Sequence, residues 1–280
     1  MESIETPDGI TLKLRQWPAA GTPRGLVLIE HGLGEHIGRY THVAAYLNGL
    51  GWAVAGHDLR GHGRSGGARG AIPEPLSLTA DLAQVIDTVR RPGLPLVLLG
   101  HSMGGLVAAR FVAESLSAQP AAWSRPVDAL VLSSPALDPG MSGFQKLLLA
   151  VLGPLAPNLA VNNGLKIEWI SRDPAVVHAY AADPLVHDRI TPRLTRFIVD
   201  GGELALSRAA QWRTPTLLLW AGADRCVAPR GSAAFAAAAP PELLTGQVFE
   251  PLFHEIFNEP EQGAVLQKLG NWLARQFPRA

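Results

Sequence analysis

Short runs that are apolar at every position recur along the chain, at residues 25–29, 52–55, 96–99, 129–132 and 216–220. A strand is apolar throughout only when both its faces are covered, so these five runs predict the inner strands of a parallel sheet layered between helices. Between them, residues 39–50, 78–89 and 103–116 place apolar side chains at helical spacing, and a last helix sets Val265, Leu266, Leu269, Trp272 and Leu273 on one face. Residues 10–17 instead alternate apolar with polar after a Pro7-Asp8-Gly9 turn, which predicts an antiparallel hairpin at one edge of the sheet. Residues 247–249 are the predicted final strand, and the alanine-rich 232–239 a short helix.

Strand and helix alternate in this way except between Asp138 and Arg193, where no buried strand is legible and Pro, Gly and Asn break up short helical pieces. The pattern therefore predicts an α/β core made of residues 1–137 and 194–280, interrupted by a cap at 138–193.

Composition narrows the range of partners. Of 280 residues, 47% are hydrophobic and 17% charged, with 24 basic and 24 acidic side chains, which excludes a disordered chain and leaves no basic footprint for nucleic acid. One cysteine, Cys226, cannot form an internal disulfide, no Cys/His group has zinc spacing, and no cofactor is expected. Cys226 itself reads as a small buried hydrophobe and is given no role. The first residues, Met1-Glu2-Ser3-Ile4-Glu5, are acidic where a secretory signal is basic, so the expected location is cytoplasmic. The longest uncharged apolar stretch, 147–165, includes Pro154, Pro157, Asn158, Asn162 and Asn163, which spoils it as a spanning helix but leaves contact with a membrane surface open.

The chemistry begins at Gly100-His101-Ser102-Met103-Gly104, which follows a predicted buried strand and precedes a predicted helix. This is the setting of a nucleophile elbow, a sharp turn that lifts a serine out of the sheet and allows no side chain at the two glycines. The hydroxyl needs a base, and in this architecture the acid and then the base follow the serine in chain order, each after a strand. Ala221-Gly222-Ala223-Asp224 follows one strand and Pro251-Leu252-Phe253-His254 follows the last, and of nine histidines only His254 lies beyond Asp224. Ser102, Asp224 and His254 are therefore the predicted nucleophile, acid and base, with Asp138 a competing acid. The turn His31-Gly32-Leu33-Gly34 supplies close-approaching backbone, so the amides of Leu33 and Met103 are the predicted oxyanion donors and His31 an orienting residue.

Three other patterns are set aside. Gly61-His62-Gly63-Arg64-Ser65-Gly66 matches a dinucleotide fingerprint, but Gly67, Gly70, Pro73 and Pro75 follow it, so no helix opens there. His254-Glu255 begins like a zincin helix, yet Asn258 stands where the second histidine is required. His57, Asp58 and His62 read as local hydrogen-bonding residues rather than metal ligands.

Together with Glu35-His36, Arg39-Tyr40, Asp58-Leu59-Arg60-Gly61-His62-Gly63, Ser171-Arg172-Asp173-Pro174, Asp183-Pro184-Leu185-Val186 and Glu255-Ile256-Phe257-Asn258-Glu259, these segments resemble the α/β-hydrolase superfamily, and within it the monoacylglycerol lipase and lysophospholipase branch. The resemblance implies about eight mostly parallel strands with a helical cap after the sixth, and it puts nucleophile, acid and base on the same three residues. It also implies cofactor-free hydrolysis of single-chain acyl esters, most specifically of monoacylglycerol to fatty acid and glycerol, beneath a cap that covers an apolar tunnel. The alternatives are a carboxylesterase or lysophospholipase of different head-group preference, and a hydrolase-like protein that binds its ligand without turnover. The run Phe144, Leu147, Leu148, Leu149, Val151, Leu152 and Leu155 would dock on lipid, line that tunnel or simply pack onto the core.

Overall fold

In the computed structural model, which describes residues 2–278 apart from the Leu152 side chain, the five apolar runs are the five central strands of one eight-stranded sheet. The strands are β1 (Glu2–Glu5), β2 (Thr11–Trp17), β3 (Leu26–Glu30), β4 (Ala53–Asp58), β5 (Leu96–His101), β6 (Ala129–Ser133), β9 (Thr216–Ala221) and β10 (Leu244–Phe249). A separate pair of two-residue strands, β7 (Val161–Asn162) and β8 (Arg189–Ile190), lies outside it. The sheet order is β1-β2-β4-β3-β5-β6-β9-β10, and only β2 runs against the other strands. The predicted hairpin is thus the β1–β2 pair, with β1 at the sheet edge.

Helices cover both faces, as continuously apolar strands require. On one side α1 (Thr41–Gly49) and α8 (Gln262–Gln276) bury Val43, Leu47, Val265, Leu269 and Trp272 against Val27, Ile29, Val97 and Leu219. On the other, α2 (Ser77–Val89), α3 (Ser102–Glu114), α6 (Pro192–Arg208) and α7 (Pro229–Ala238) enclose Leu28, Leu98, Leu132 and Leu218. The first predicted helix divides into a 3-10 turn at Ile37–Tyr40 and α1, because the Asp58 carboxylate takes the Ile37 amide and the His36 ring takes that of Gly38. β4, β5 and β10 extend beyond their apolar runs, and in β4 and β5 the added residues are Gly56, His57, Asp58, Gly100 and His101.

Between β6 and α6 the chain adds no strand to the main sheet. It forms α4 (Gly143–Leu152), capped by a reciprocal Ser142–Gln145 box, then β7, α5 (Pro174–Ala182) and β8. Among the described residues no helix is long and apolar enough to cross a membrane.

Candidate active site

Ser102 sits where β5 turns into α3, with φ +54, a left-handed conformation that a serine rarely adopts. The turn is this tight because the chain reverses directly from strand to helix. A side chain at Gly100 would strike the Gly104 carbonyl, and one at Gly104 the Glu30 carbonyl, so both positions admit only glycine. The hydroxyl is thereby held above the sheet at the first turn of a helix, where unpaired amides favour developing negative charge.

The loops after β9 and β10 complete the group. Ser102 Oγ lies 2.8 Å from His254 Nε2, and His254 Nδ1 lies 2.7 Å from Asp224 Oδ2. Asp224 is fixed in turn, since its Oδ1 accepts the amides of Cys226 at 2.8 Å and Val227 at 3.0 Å. Backbone bonds from Gly222 to Phe249 and from Ala223 to Leu252 tie the acid loop to the base loop. Burial pulls the His254 pKa down, but the Asp224 charge and hydrogen bond outweigh it and raise the value above the ordinary 6.5. His101, whose ring centroid is 4.8 Å from that of His254, is pushed down to about 3 by burial and by its neighbour, and so stays neutral.

Leu33 and Met103 flank Ser102. Met103 is the second residue of α3, so its amide has no acceptor within the helix, and Leu33 lies on the turn after β3. His31 orients that turn: its Nε2 accepts the Leu59 amide at 2.9 Å, which leaves Nδ1–H to donate to the Gly32 carbonyl at 2.8 Å. Asp138 is elsewhere, with its carboxylate taken by Arg230 and the Gly140 amide, so it does not compete for His254. Asp58 organises its own loop through the amides of Ile37 and Arg64, and His57 faces Glu30 at 3.3 Å. Among the described residues the group with metal-ligand spacing is Asp224, Cys226 and His254, but both His254 ring nitrogens are already engaged, and burial raises the Cys226 thiol well above its usual range.

A buried ionic clamp behind these residues escapes the sequence reading. Arg39 donates to both carboxylate oxygens of Glu255, the neighbour of His254, at 2.6 Å each, and to Glu35 at 2.7 Å. Glu35 also accepts the Gly32 amide at 2.6 Å and the Tyr40 hydroxyl at 2.7 Å, while the Arg39 guanidinium stacks 4.7 Å from the Tyr180 ring of α5. One arginine thus joins the turn after β3, the loop after β10 and the segment above the site. Burial works against ionisation of Glu35, yet the charge of Arg39 prevails and holds its pKa at about 2. The i,i+4 spacing of Glu35 and Arg39 was the available signal, but it reads equally well as an exposed helical pair.

Two cavities meet at Ser102. One, of about 380 Å³, is bordered by Glu35, Tyr180, Asp183, His187 and Glu255 together with the apolar Ile167, Ile170 and Val186. The other, of about 470 Å³, is bordered by Met103, Met141, Trp169, Ile190, Ile198 and Val227 together with Gln145, Thr195 and Arg225. Leu33, Asn163, Leu165 and Cys226 border both. The wall of the first cavity is fastened to the core, because His36 Nε2 reaches Asp183 at 2.8 Å and the His187 amide donates to the Gly34 carbonyl at 2.9 Å.

Residues 21–261 match the Hydrolase_4 family, described as serine aminopeptidase, S33. The chain belongs to this family. A monoacylglycerol lipase of Mycolicibacterium smegmatis is 36% identical over 270 residues, covering 95% of this chain and 93% of its own. The human monoglyceride lipase is 32% identical over 285 residues, covering 98% and 90%. Among solved structures, the monoacylglycerol lipase of Paleococcus ferrophilus superposes with a TM-score of 0.83 at 34% identity, covering 95% of this chain and 99% of that one. Within the α/β-hydrolases this family member therefore falls in the monoacylglycerol lipase-like branch, and it is a hydrolase. The expected eight-stranded, mostly parallel sheet is the one observed.

Proposed function

We propose that this protein cleaves monoacylglycerol to fatty acid and glycerol through an acyl-enzyme on Ser102. The observation that carries the reading is the position of the Ser102–His254–Asp224 chain where two cavities with mainly apolar walls meet, one of which also gathers Glu35, Tyr180, Asp183 and His187. A single acyl chain fits apolar walls, and a small polyol at its end fits hydrogen-bonding groups such as those of Tyr180, Asp183 and His187.

Ser102 Oγ attacks the ester carbonyl as its proton passes to His254 Nε2, and Asp224 holds Nδ1–H and stabilises the imidazolium. The carbonyl oxygen becomes an oxyanion facing the Leu33 and Met103 amides. His254 then gives the proton to the departing glycerol oxygen. A water loses its proton to the same nitrogen while adding to the acyl carbon, and collapse returns that proton to Ser102 and frees the fatty acid. Residues 138–193 serve as the cap over both cavities, with 1–137 and 194–280 as the hydrolase core.

The apolar run of α4 supports peripheral contact with lipid. Phe144 is 72% exposed and Leu155, just past the helix, 78%, with Leu147, Leu148 and Val151 also exposed, so these side chains neither pack on the core nor line either cavity at Ser102. A patch of this kind on a surface element marks a docking face.

Titrimetric hydrolysis of monoacylglycerols of increasing chain length, compared with diacylglycerol, triacylglycerol and lysophosphatidylcholine, tests the substrate. Strong preference for monoacylglycerol is expected. Activity on short soluble esters alone would reduce the function to a general carboxylesterase, and preference for lysophosphatidylcholine would make it a lysophospholipase.

The pH profile tests the base. His254 must be neutral to accept a proton, and its folded pKa is raised, so kcat/KM on a soluble ester should fall as pH drops through a value above 6.5. The same shift contributes stability that is present below the unfolded pKa and lost as pH rises through the folded one, so activity and this part of stability move in opposite directions. In Asp224→Asn the acid limb should move to lower pH. An unmoved limb would assign it to another group.

A further inference from the structure

Beside the exposed face of α4, on the side of α6 away from the active site, lies a cavity of about 190 Å³ that the reaction does not use. Three arginines line it, Arg110 from α3 and Arg193 and Arg196 from the first turns of α6, together with Asp200, Leu149 and Pro154. The balance of charge there is unusual for a chain with 24 cations and 24 anions overall. Arg110 is held against Phe197, with its guanidinium carbon 4.7 Å from the ring centroid and Nη1 donating to the Phe197 carbonyl at 3.3 Å. Its buried Nε has no hydrogen-bond partner, and burial lowers its pKa despite the charges of Glu114 and Asp200. Arg196 has only Asp200, at 3.9 Å, and Arg193 forms no ion pair among the described residues. Asp200 is thus the one carboxylate lining the pocket with three cations, at the amino end of a 17-residue helix whose dipole adds to the positive sign, with Glu114 acting on Arg110 from α3. Leucines 155 and 159, 78% and 62% exposed, adjoin the pocket through Pro154 and Pro157.

We propose that this pocket receives the headgroup phosphate of an anionic phospholipid when the apolar face of α4 rests on a bilayer. Guanidinium forks match phosphate oxygens bidentately, and a pocket bordering an apolar patch meets a headgroup at the depth where headgroups lie. The inference rests on the docking reading given above and specifies which surface is preferred.

The test is cosedimentation of the full chain with vesicles of phosphatidylcholine alone, or with about a third phosphatidylglycerol, where each basic residue at the surface contributes about fivefold in binding. Phosphatidylglycerol should strengthen binding of the wild type. Arg193→Gln with Arg196→Gln should remove about 25-fold of that gain. The same variant should leave hydrolysis of detergent-dispersed monoacylglycerol unchanged. Arg91→Gln with Arg213→Gln, both exposed near the amino ends of β5 and β9, removes equal charge from the opposite end of the sheet and should keep the gain within about twofold.

Equal loss in the two double variants would overturn the proposal, since it would show a response to net charge alone. So would binding to phosphatidylcholine without any gain from phosphatidylglycerol, a result that leaves the docking face intact. A melting temperature raised by inorganic phosphate through Arg193 and Arg196, without phosphatidylglycerol preference, would make this a site for a soluble phosphate instead. Failure to bind either vesicle would remove the docking reading and the proposal together, while detergent assays still report the hydrolase.

Discussion

Ser102→Ala should lose roughly a million-fold in kcat on every ester the wild type hydrolyses, the scale seen when a triad serine is removed. The loss is that large because the chain Ser102–His254–Asp224 acts as a unit: without Oγ, the raised basicity of His254 has no proton to take. Stability should barely change. Alanine keeps the Cβ and the same strained backbone at φ +54, and it removes one hydroxyl with one hydrogen bond, an effect of about 1 kcal/mol. Single-turnover assays beside thermal melts separate the two readouts. Residual turnover within tenfold of wild type would make Ser102 a bystander, and covalent capture of a fluorophosphonate at another residue would show where the nucleophile lies.

Arg39→Met should be the most damaging change outside the reacting group. The substitution keeps the apolar stem and leaves Glu35 and Glu255 buried without their cation, and breaking a buried pair in this way costs about 3–5 kcal/mol. For a chain of this size that corresponds to a fall in melting temperature of roughly 6–20 °C. Activity should fall as well, because Glu35 holds the Gly32 amide beside the Leu33 turn and Glu255 follows the base. Neutralising the stranded acids, with Glu35→Gln and Glu255→Gln in the Arg39→Met background, should recover part of the stability. A melting temperature within about 2 °C of wild type in Arg39→Met would mean that water reaches the clamp and screens it.

Both predictions rest on residues of very different legibility. The strands that hold the site could be read from sequence because burial on both faces leaves no polar position to confuse the period, as in Leu96–Leu99 and Thr216–Trp220. β4 and β5 end in His57, Asp58, Gly100 and His101, which are polar or small because they fix the turns that follow or adjoin Ser102, so hydropathy alone stops short of them. α6 is hard to read for a different reason. The Gly201–Gly202 pair in its interior lowers helix propensity, yet Gly201 packs closely on Leu106 and Gly202 lies against the Leu137 carbonyl, where no side chain fits.

Ser102, Asp224 and His254 could be found because strand order fixes the order of the catalytic loops. Arg39, Glu35 and Glu255 join only in three dimensions, and each alone is an ordinary charged residue. Tyr180 and His187 are equally opaque, and Asp183 is legible only as part of a family segment without a place, since their convergence depends on how residues 174–188 fold back over the turn after β3.

The junction of the two cavities at a single hydroxyl also sets an order of traffic. In the proposed mechanism the tail of the acyl chain on Ser102 fills the arm beside Met103 and Met141, so the arm that His254 lines is the remaining way for water to approach the ester carbon. That arm is where the departing alcohol has just been released. The alcohol must therefore vacate before water can enter, and until it does it remains a competing acceptor for the acyl group. The partition between net hydrolysis and return to ester is thus decided by residence in one small compartment, and the walls around Glu35 and Tyr180 govern flux as well as recognition.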